Sequence, residues 1–443
     1  MGSAIPIKKE EPMTAGNENG FVTVHVSVRV PVFGCNVNVL EAECGRAAGE
    51  AMGQAMKMIQ LASQRQLADR LERRQWRERR LFTCFGLIQV AVLQVRDRRT
   101  GRCFSLLNRQ TGLERRRTCT PRLEQMGLAA RVRGLSYRQV SRLMLEHFAV
   151  ALSHMHIWRR VQVRGAECVR REKRLTKAVF RGDGQLLTLP AGPPGHLYLE
   201  ADELHVKAQR SKTETVRIKT GVSYTGRRLE AGAGQARYSL REKRIYMGVE
   251  SAGEFGYNWT ATLQKRYRVW DAEAVLYLSD GDRWLRGLPE LHFPQAIRQM
   301  DWAHVLRDVR SAAPDEKTRK RWTKAIARGR HRKLQRELSE LVRAKPESSE
   351  ARLRLSRRLA ENGDDLQGWR RFRNLHDPER RQRIPRATGV VEKNQETVLA
   401  RVMKGRGMAW TARGANHLAK LIKASLYPEE WKLVVPEPIP PLT

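Results

Sequence analysis

Asp202 and Asp280, with Glu392 or Glu396, are the residues of this chain whose types and settings could hold a divalent cation. Asp202 lies in Leu197–His205, where Leu197, Leu199 and Ala201 alternate with Tyr198, Glu200 and Asp202. That alternation predicts a strand, and a carboxylate on a core strand is costly unless something pairs with it. An arginine would serve, and so would a divalent cation. A second short apolar run, Ala274–Ser279, ends in Asp280-Gly281-Asp282, so two strands each deliver an aspartate at the same end. Side by side in one sheet, they would present hard oxygen ligands of the kind that suit Mg or Mn. Further along, Glu392 and Glu396 stand four apart in a helical pattern and so share a face; either could complete the acidic group.

The composition says which partners to look for. In 443 residues, 84 Lys and Arg face 47 Asp and Glu, a net charge of +37. The excess runs along the whole chain, which points to nucleic acid bound by more than one region; a ribosome-associated basic protein is the competing explanation. Six scattered cysteines (Cys35, Cys44, Cys84, Cys103, Cys119, Cys168) form no CxxC pair, which argues against a zinc ribbon or a disulfide framework and for buried thiols in a reducing cytoplasm. There is no run of 18 apolar residues and no signal-peptide pattern, so a cytoplasmic protein without membrane contact is expected. Gly2 follows Met1, but Pro6 stands where a myristoylation site needs Ser or Thr.

The elements that must position these acids follow from pattern. Residues 1–38 read as an extension containing a strand, in which Val22, Val24, Val26, Val28 and Val30 alternate with polar residues. A region over 39–190 begins with a long helix from about Val39 to Arg80, whose Met52 and Met56 belong to a packing stripe. A hairpin follows over 84–107. A helix-turn-helix over about 135–163 comes next, with Ser136 and Ser153 as caps and Val140, Leu143, Met144 and Phe148 inside; its second helix carries His154, His156, Arg159 and Arg160 toward DNA.

A Gly/Pro cluster marks a boundary near 190. Residues 191–304 should hold strands at 197–207, 216–223, 244–249, 274–279 and 297–301, and a helix over 253–267. Residues 305–388 read as a basic helical insert with few buried apolar positions, with helices over 317–341, 348–361 and 366–374. Such an insert could lie on a phosphate backbone, while its Trp322 and Trp369 are better suited to packing than to stacking on a base. Residues 389–427 return the Glu392 helix, and 428–443 form a Pro-rich tail.

In this order the chain resembles the ISLre-type family of bacterial insertion-sequence transposases, which belong to the DDE group. The resemblance is carried by Glu200 to Val206, by Ser279 to Leu285, and by Asp301-Trp302-Ala303-His304. Val391-Glu392, Arg401 to Trp410 and Gly414-Ala415 complete it, and it covers about residues 40 to 421. It implies an α/β fold: a ribonuclease-H-like catalytic domain with a mixed five-stranded sheet, an all-helical insert, and a mainly helical DNA-binding region in front.

The same resemblance implies that Asp202, Asp280 and Glu392 are catalytic and hold two Mg2+ or Mn2+ ions. It further implies double-stranded DNA as partner, as element terminal repeats and as target, a homodimer or higher oligomer, and a nucleoid-associated place in the bacterial cytoplasm. Leu204 stands where an acid is frequent in the family, and Asp282 where a small residue is usual, which leaves the choice between Asp280 and Asp282 open. A nuclease of the same fold without strand transfer and a non-catalytic, domesticated DNA-binding relative are the two competing functions.

Overall fold

The computed structural model describes residues 22–28, 37–113, 117–182, 190, 192–230, 237–344, 350–374, 389–405 and 407–434. They fall into two compact units, one running to Arg160 and rejoined from Glu429, the other spanning Val161–Pro428. The division falls inside a helix, well before the boundary expected near 190. The expected Pro-rich tail beyond Val434 and most of the expected Gly/Pro boundary lie outside the described residues.

In the first unit, α1 (Val37–Gln66) is followed by an antiparallel sheet of β1 (Leu71–Thr83), β2 (Gly86–Asp97) and β3 (Cys103–Ser105). The expected hairpin is β2 with β3. Two expectations fail here. Residues 22–28 form no strand, because no ladder partner lies beside them. The helix expected to reach Arg80 stops at Gln66, and the arginine-rich stretch after it pairs along β2 from Leu71↔Asp97 to Thr83↔Gly86.

The physical reason is β2. Its Ile88, Val90 and Val92 join Leu81 and Leu107 in one cluster against Met52 and Met56, while Leu93 and Val95 join Leu71 and Leu106 in another. A strand apolar on both faces takes β1 as its neighbour against the local helical preference of Arg and Glu. After α2 (Leu106–Thr111) and α3 (Pro121–Val132), α4 (Tyr137–Phe148) starts at Ser136 in a reciprocal capping box with Gln139, and α5 (His154–Arg181) starts beyond Ser153. Both helices begin where expected, and Val140 and Met144 are buried with Leu123 and Ile157. The second is far longer than a recognition helix.

The second unit is built on a five-stranded mixed sheet. In chain order the remaining strands are β4 (His196–Lys207), β5 (Thr215–Tyr224), the separate hairpin β6 (Gly226–Glu230) and β7 (Arg237–Arg241), β8 (Arg244–Gly248), β9 (Ala274–Ser279) and β10 (Ile297–Met300). Across the sheet the order is β10-β9-β4-β5-β8, parallel from β10 to β4 and antiparallel from there to β8. This mixed α/β arrangement is compatible with a ribonuclease-H-like domain. Only the β6–β7 hairpin was not legible in the pattern.

Leu197, Leu199 and Ala201 face a core shared with Phe255, Trp259 and Leu263 of α6 (Ala252–Tyr267) and with Leu285 and Leu288 of α7 (Arg283–His292). Gly221 of β5 lets Trp259 lie flat on the sheet, since a Cβ there would come within 2.4 Å of its ring. On the opposite face, Tyr198 stacks on Tyr224 and meets Phe372. Beyond β8, α15 (Ala412–Ser425) is tied in by a buried ionic network. In it Lys420 Nζ reaches Glu172 (2.6 Å), Glu250 (2.9 Å) and the Tyr246 hydroxyl (2.6 Å), and Lys423 Nζ reaches Glu172 (2.7 Å).

The insert consists of α8 (Trp302–Ala312), α9 (Glu316–Ala327), α10 (His331–Ala344), α11 (Glu350–Asn362) and α12 (Gly368–Asn374). The expected single helix over 317–341 is two, broken at Gly329, whose φ of +72° disfavours a side chain. Contrary to the expectation of few buried apolar positions, the insert has its own core: Trp302, Val305 and Val309 pack with Trp322, Ile326, Leu334, Leu338, Leu355 and Leu359. The apolar positions are spread thinly over four helices, so no single stretch shows them. Trp322 and Trp369 are both buried, as packing residues. Cys119 and Cys168 are buried as expected, whereas Cys84 is half-buried and Cys44 and Cys103 are exposed. Among the described residues no helix is long and apolar enough to cross a membrane.

The insert core yields a test. Trp322, whose indole N–H donates to Glu337 at 2.9 Å, is the largest side chain inside it. Trp322→Ala should cost about 3–5 kcal/mol in chemical denaturation. A change within about 0.5 kcal/mol, typical of a surface site, would mean that the helices do not pack as described.

Candidate metal centre

Two parallel strands set the frame of the site. β4 pairs with β9 from His196↔Ala274 to Glu200↔Leu278, a register that extends to set Asp202 beside Asp280 just past the end of β9 at Ser279, while β4 itself runs on to Lys207. The chain then turns sharply at Gly281, at φ +87°. A Cβ there would come within 2.8 Å of Met300 Sδ and 3.0 Å of Asn362, so the turn admits only glycine without displacement. Asp282 N–H donates back to Asp280 Oδ1 at 3.0 Å, which holds the Asp280 carboxylate in place. Glu392 comes from α13 (Gly389–Asn394), which packs on the carboxylate-bearing face of β4 with Val391 fully buried.

These carboxylates sense one another. Burial pushes Asp202 up to about 6, and the charges of Asp280 and Glu392 push the same way, against a hydrogen bond from Glu203 N–H at 2.7 Å and the attraction of His304. Burial, then Asp282, raises Asp280 as well, while His304 and Arg358 pull it down. His304 joins from α8: its Nδ1 lies 2.6 Å from Asp301 Oδ2, and its Nε2 lies 4.0 Å from Glu392 Oε1. The hydrogen bond to Asp301 is the main reason the imidazole is raised above its ordinary value. Asp301 is fully buried and also caps α8, accepting from Ala303 N–H at 2.7 Å. One ligand atom from each of Asp301, His304 and Glu392 lies within 4.8 Å of the others.

The structure thus brings Asp202, Asp280 and Glu392 into one electrostatic cluster. Asp282 is exposed at the start of α7, outside the aspartate pair. Glu392 and Glu396 are both exposed, but the helix between them is not the regular one expected: Gln395–Ala400 is a π-helical turn, which breaks the four-residue spacing. Three participants were given no site role from sequence, although Asp301-Trp302-Ala303-His304 is one of the blocks that carry the resemblance. Asp301 and His304 sit where the short strand β10 ends in an aspartate, the same signal that marks Asp280. Arg358 of α11 bore no signal; its Nη1 donates to the Asp280 carbonyl at 2.7 Å and its Nε pairs with Asp308 at 2.8 Å.

The carboxylates of Asp202 and Asp280, with Asp301, His304 and Glu392 offering ligand atoms within 4.8 Å of one another and Arg358 alongside, are hard donors of the kind that fit a divalent cation of the Mg or Mn type. Fold and site together define an α/β protein whose mixed sheet sets Asp202, inside β4, beside Asp280, just past the end of the parallel strand β9. The chain belongs to the uncharacterised protein family UPF0236, which it matches over residues 36–435. No curated protein matches it.

The cluster predicts a stability profile. Unfolded, Asp202 would titrate near the usual carboxylate value of about 4; folded, it titrates at about 6. The cost of ionising it is absent below about pH 4, grows as pH rises from about 4 to about 6, where the unfolded chain is ionised and the folded one is not, and is complete by about pH 7. In metal-free buffer Asp202→Asn should therefore be more stable than wild type at pH 7.5, by at most about 3 kcal/mol at about 1.4 kcal/mol per unit. The difference should vanish toward pH 4 in thermal unfolding. Equal unfolding midpoints at pH 7.5 would contradict the cluster.

Proposed function

We propose that the chain is a DDE transposase of an insertion sequence, with a ribonuclease-H-like catalytic domain that cleaves element ends and joins them to target DNA. The observation that carries this reading is that Asp202, on β4, feels the charges of both Asp280, just past the end of the parallel neighbour β9, and Glu392, in a sheet of order β10-β9-β4-β5-β8. Membership of a family associated with transposase-like proteins supports it, as does a net charge of +37.

Asp202, Asp280 and Glu392 would hold two Mg2+ or Mn2+ ions. Such ions lower the pKa of an attacking oxygen and relieve charge on the leaving one. Water first hydrolyses the phosphodiester at the element end and frees a 3′-OH; that hydroxyl then attacks a target phosphate, one P–O bond forming as another breaks. No covalent protein intermediate is needed. Arg358, anchored by Asp308, puts positive charge beside Asp280, where it favours a bound phosphate. His304, oriented through Nδ1 by Asp301, keeps Nε2 turned to Glu392 and steadies that carboxylate. The lysines and arginines of the insert bind the DNA backbone, and the region around α4 and the start of α5 binds the terminal repeats. A homodimer or higher oligomer, acting on bacterial DNA in the cytoplasm, brings the two ends together.

The test supplies purified protein with a duplex carrying the element's own ends, a target plasmid and Mg2+ or Mn2+. Joined products are expected from wild type. Asp202→Ala and Asp280→Ala should each abolish cutting and joining while leaving salt-dependent DNA binding intact. Nicks without joined products would make the chain a nuclease, and DNA that is retarded but uncut would make it a binding protein. Normal cutting by both variants would refute the site.

A further inference from the structure

Glu200 lies two residues before Asp202 on the same face of β4, and it is completely buried. Its partners come from two distant places. Oε1 accepts from the Tyr224 hydroxyl at 2.8 Å, while Oε2 accepts from the backbone N–H of Val390 at 3.1 Å and of Val391 at 3.0 Å. Those two N–H groups belong to the first turn of α13, where a helix has no carbonyls of its own to offer them. A carboxylate at that end satisfies the orphan donors and meets the positive pole of the helix. The residue after Val391 is Glu392. One side chain on the strand that carries Asp202 therefore grips the backbone immediately before Glu392. At the other end of α13, Lys243 Nζ donates to Asn394 Oδ1 at 3.1 Å.

We infer that Glu200 is a positioning residue for Glu392: it pins the N-terminus of α13 to β4 and so sets how far the Glu392 carboxylate stands from Asp202. The inference rests on reading the carboxylate cluster as a cation site. Glu200 touches no ligand itself. A buried carboxylate could have been spent on a lysine, as Glu172 is on Lys420 and Lys423; here it is spent on backbone, which fixes the rotation and height of a helix rather than balancing a charge. Gln in its place keeps a carbonyl oxygen for Val390 and Val391 and an amide to donate to Tyr224. Ala keeps neither.

The test uses the full chain, with Mn2+ alone as the probe and two readouts, Mn2+ uptake by calorimetry and hydrogen exchange over residues 389–394. For Glu200→Ala, exchange at Val390 and Val391 should rise about tenfold or more. Mn2+ affinity should fall about 10- to 100-fold, the usual loss when a ligand's supporting partner is removed. Glu200→Gln should stay within about threefold of wild type on both counts. Should the Ala variant fail to fold, Glu200→Asp, which keeps the charge but shortens the reach by one methylene, should show the same two changes. Wild-type uptake and exchange in a folded Ala or Asp variant would overturn the inference and leave the cation reading standing. So would a folded Gln variant as impaired as Ala. Wild-type protein that takes up no Mn2+ would instead sink the cation reading.

Discussion

Like charges held out of water repel, and the second unit of this protein is arranged around keeping such charges together. Asp202 and Asp280 are level with each other because β4 and β9 are parallel and in register, and neither has a lysine or arginine paired to its carboxylate by the salt bridges described. A residue placed for stability alone would have one, since an unpaired buried carboxylate is among the more expensive features a core can carry. The surrounding pieces hold the acids without neutralising them. A glycine turn fixes Asp280, a peptide N–H holds Asp202, and Arg358 binds the Asp280 backbone rather than its side chain.

The contrast with the other buried acids of the same unit makes the point sharper. Glu172 and Glu250 face Lys420, with Lys423 alongside, in a network where positive and negative groups alternate at 2.6 to 2.9 Å. Here charge is matched by charge, and the attraction holds Glu172 below the ordinary carboxylate value despite its burial. At the strand ends the balance is reversed, and the aspartates are pushed upward.

The insert changes meaning once its core is seen. A string of solvated basic helices would offer charge without shape. Helices packed around Trp322, Leu334, Leu338, Leu355 and Leu359 keep their arginines and lysines on a fixed surface. They also let α11 carry Arg358 to the Asp280 turn, so the insert contributes to the site and not only to the surface around it.

Sequence alone determined the strands of the mixed sheet, because alternation and short apolar runs are local signals: Ala274–Ser279 is an element to the residue. It also marked Asp202 and Asp280, since a carboxylate closing an apolar strand is visible in a few letters. What needed tertiary structure was everything decided by a partner far along the chain. The arginine-rich β1 is a strand only because β2 lies beside it. Glu392 and not Glu396 joins the aspartates because a π-helical turn breaks the regular spacing, and because Glu200 grips the backbone just ahead of it. Asp301, His304 and Arg358 come to the same place from the end of β10 and from the insert, brought there by packing that no local pattern encodes.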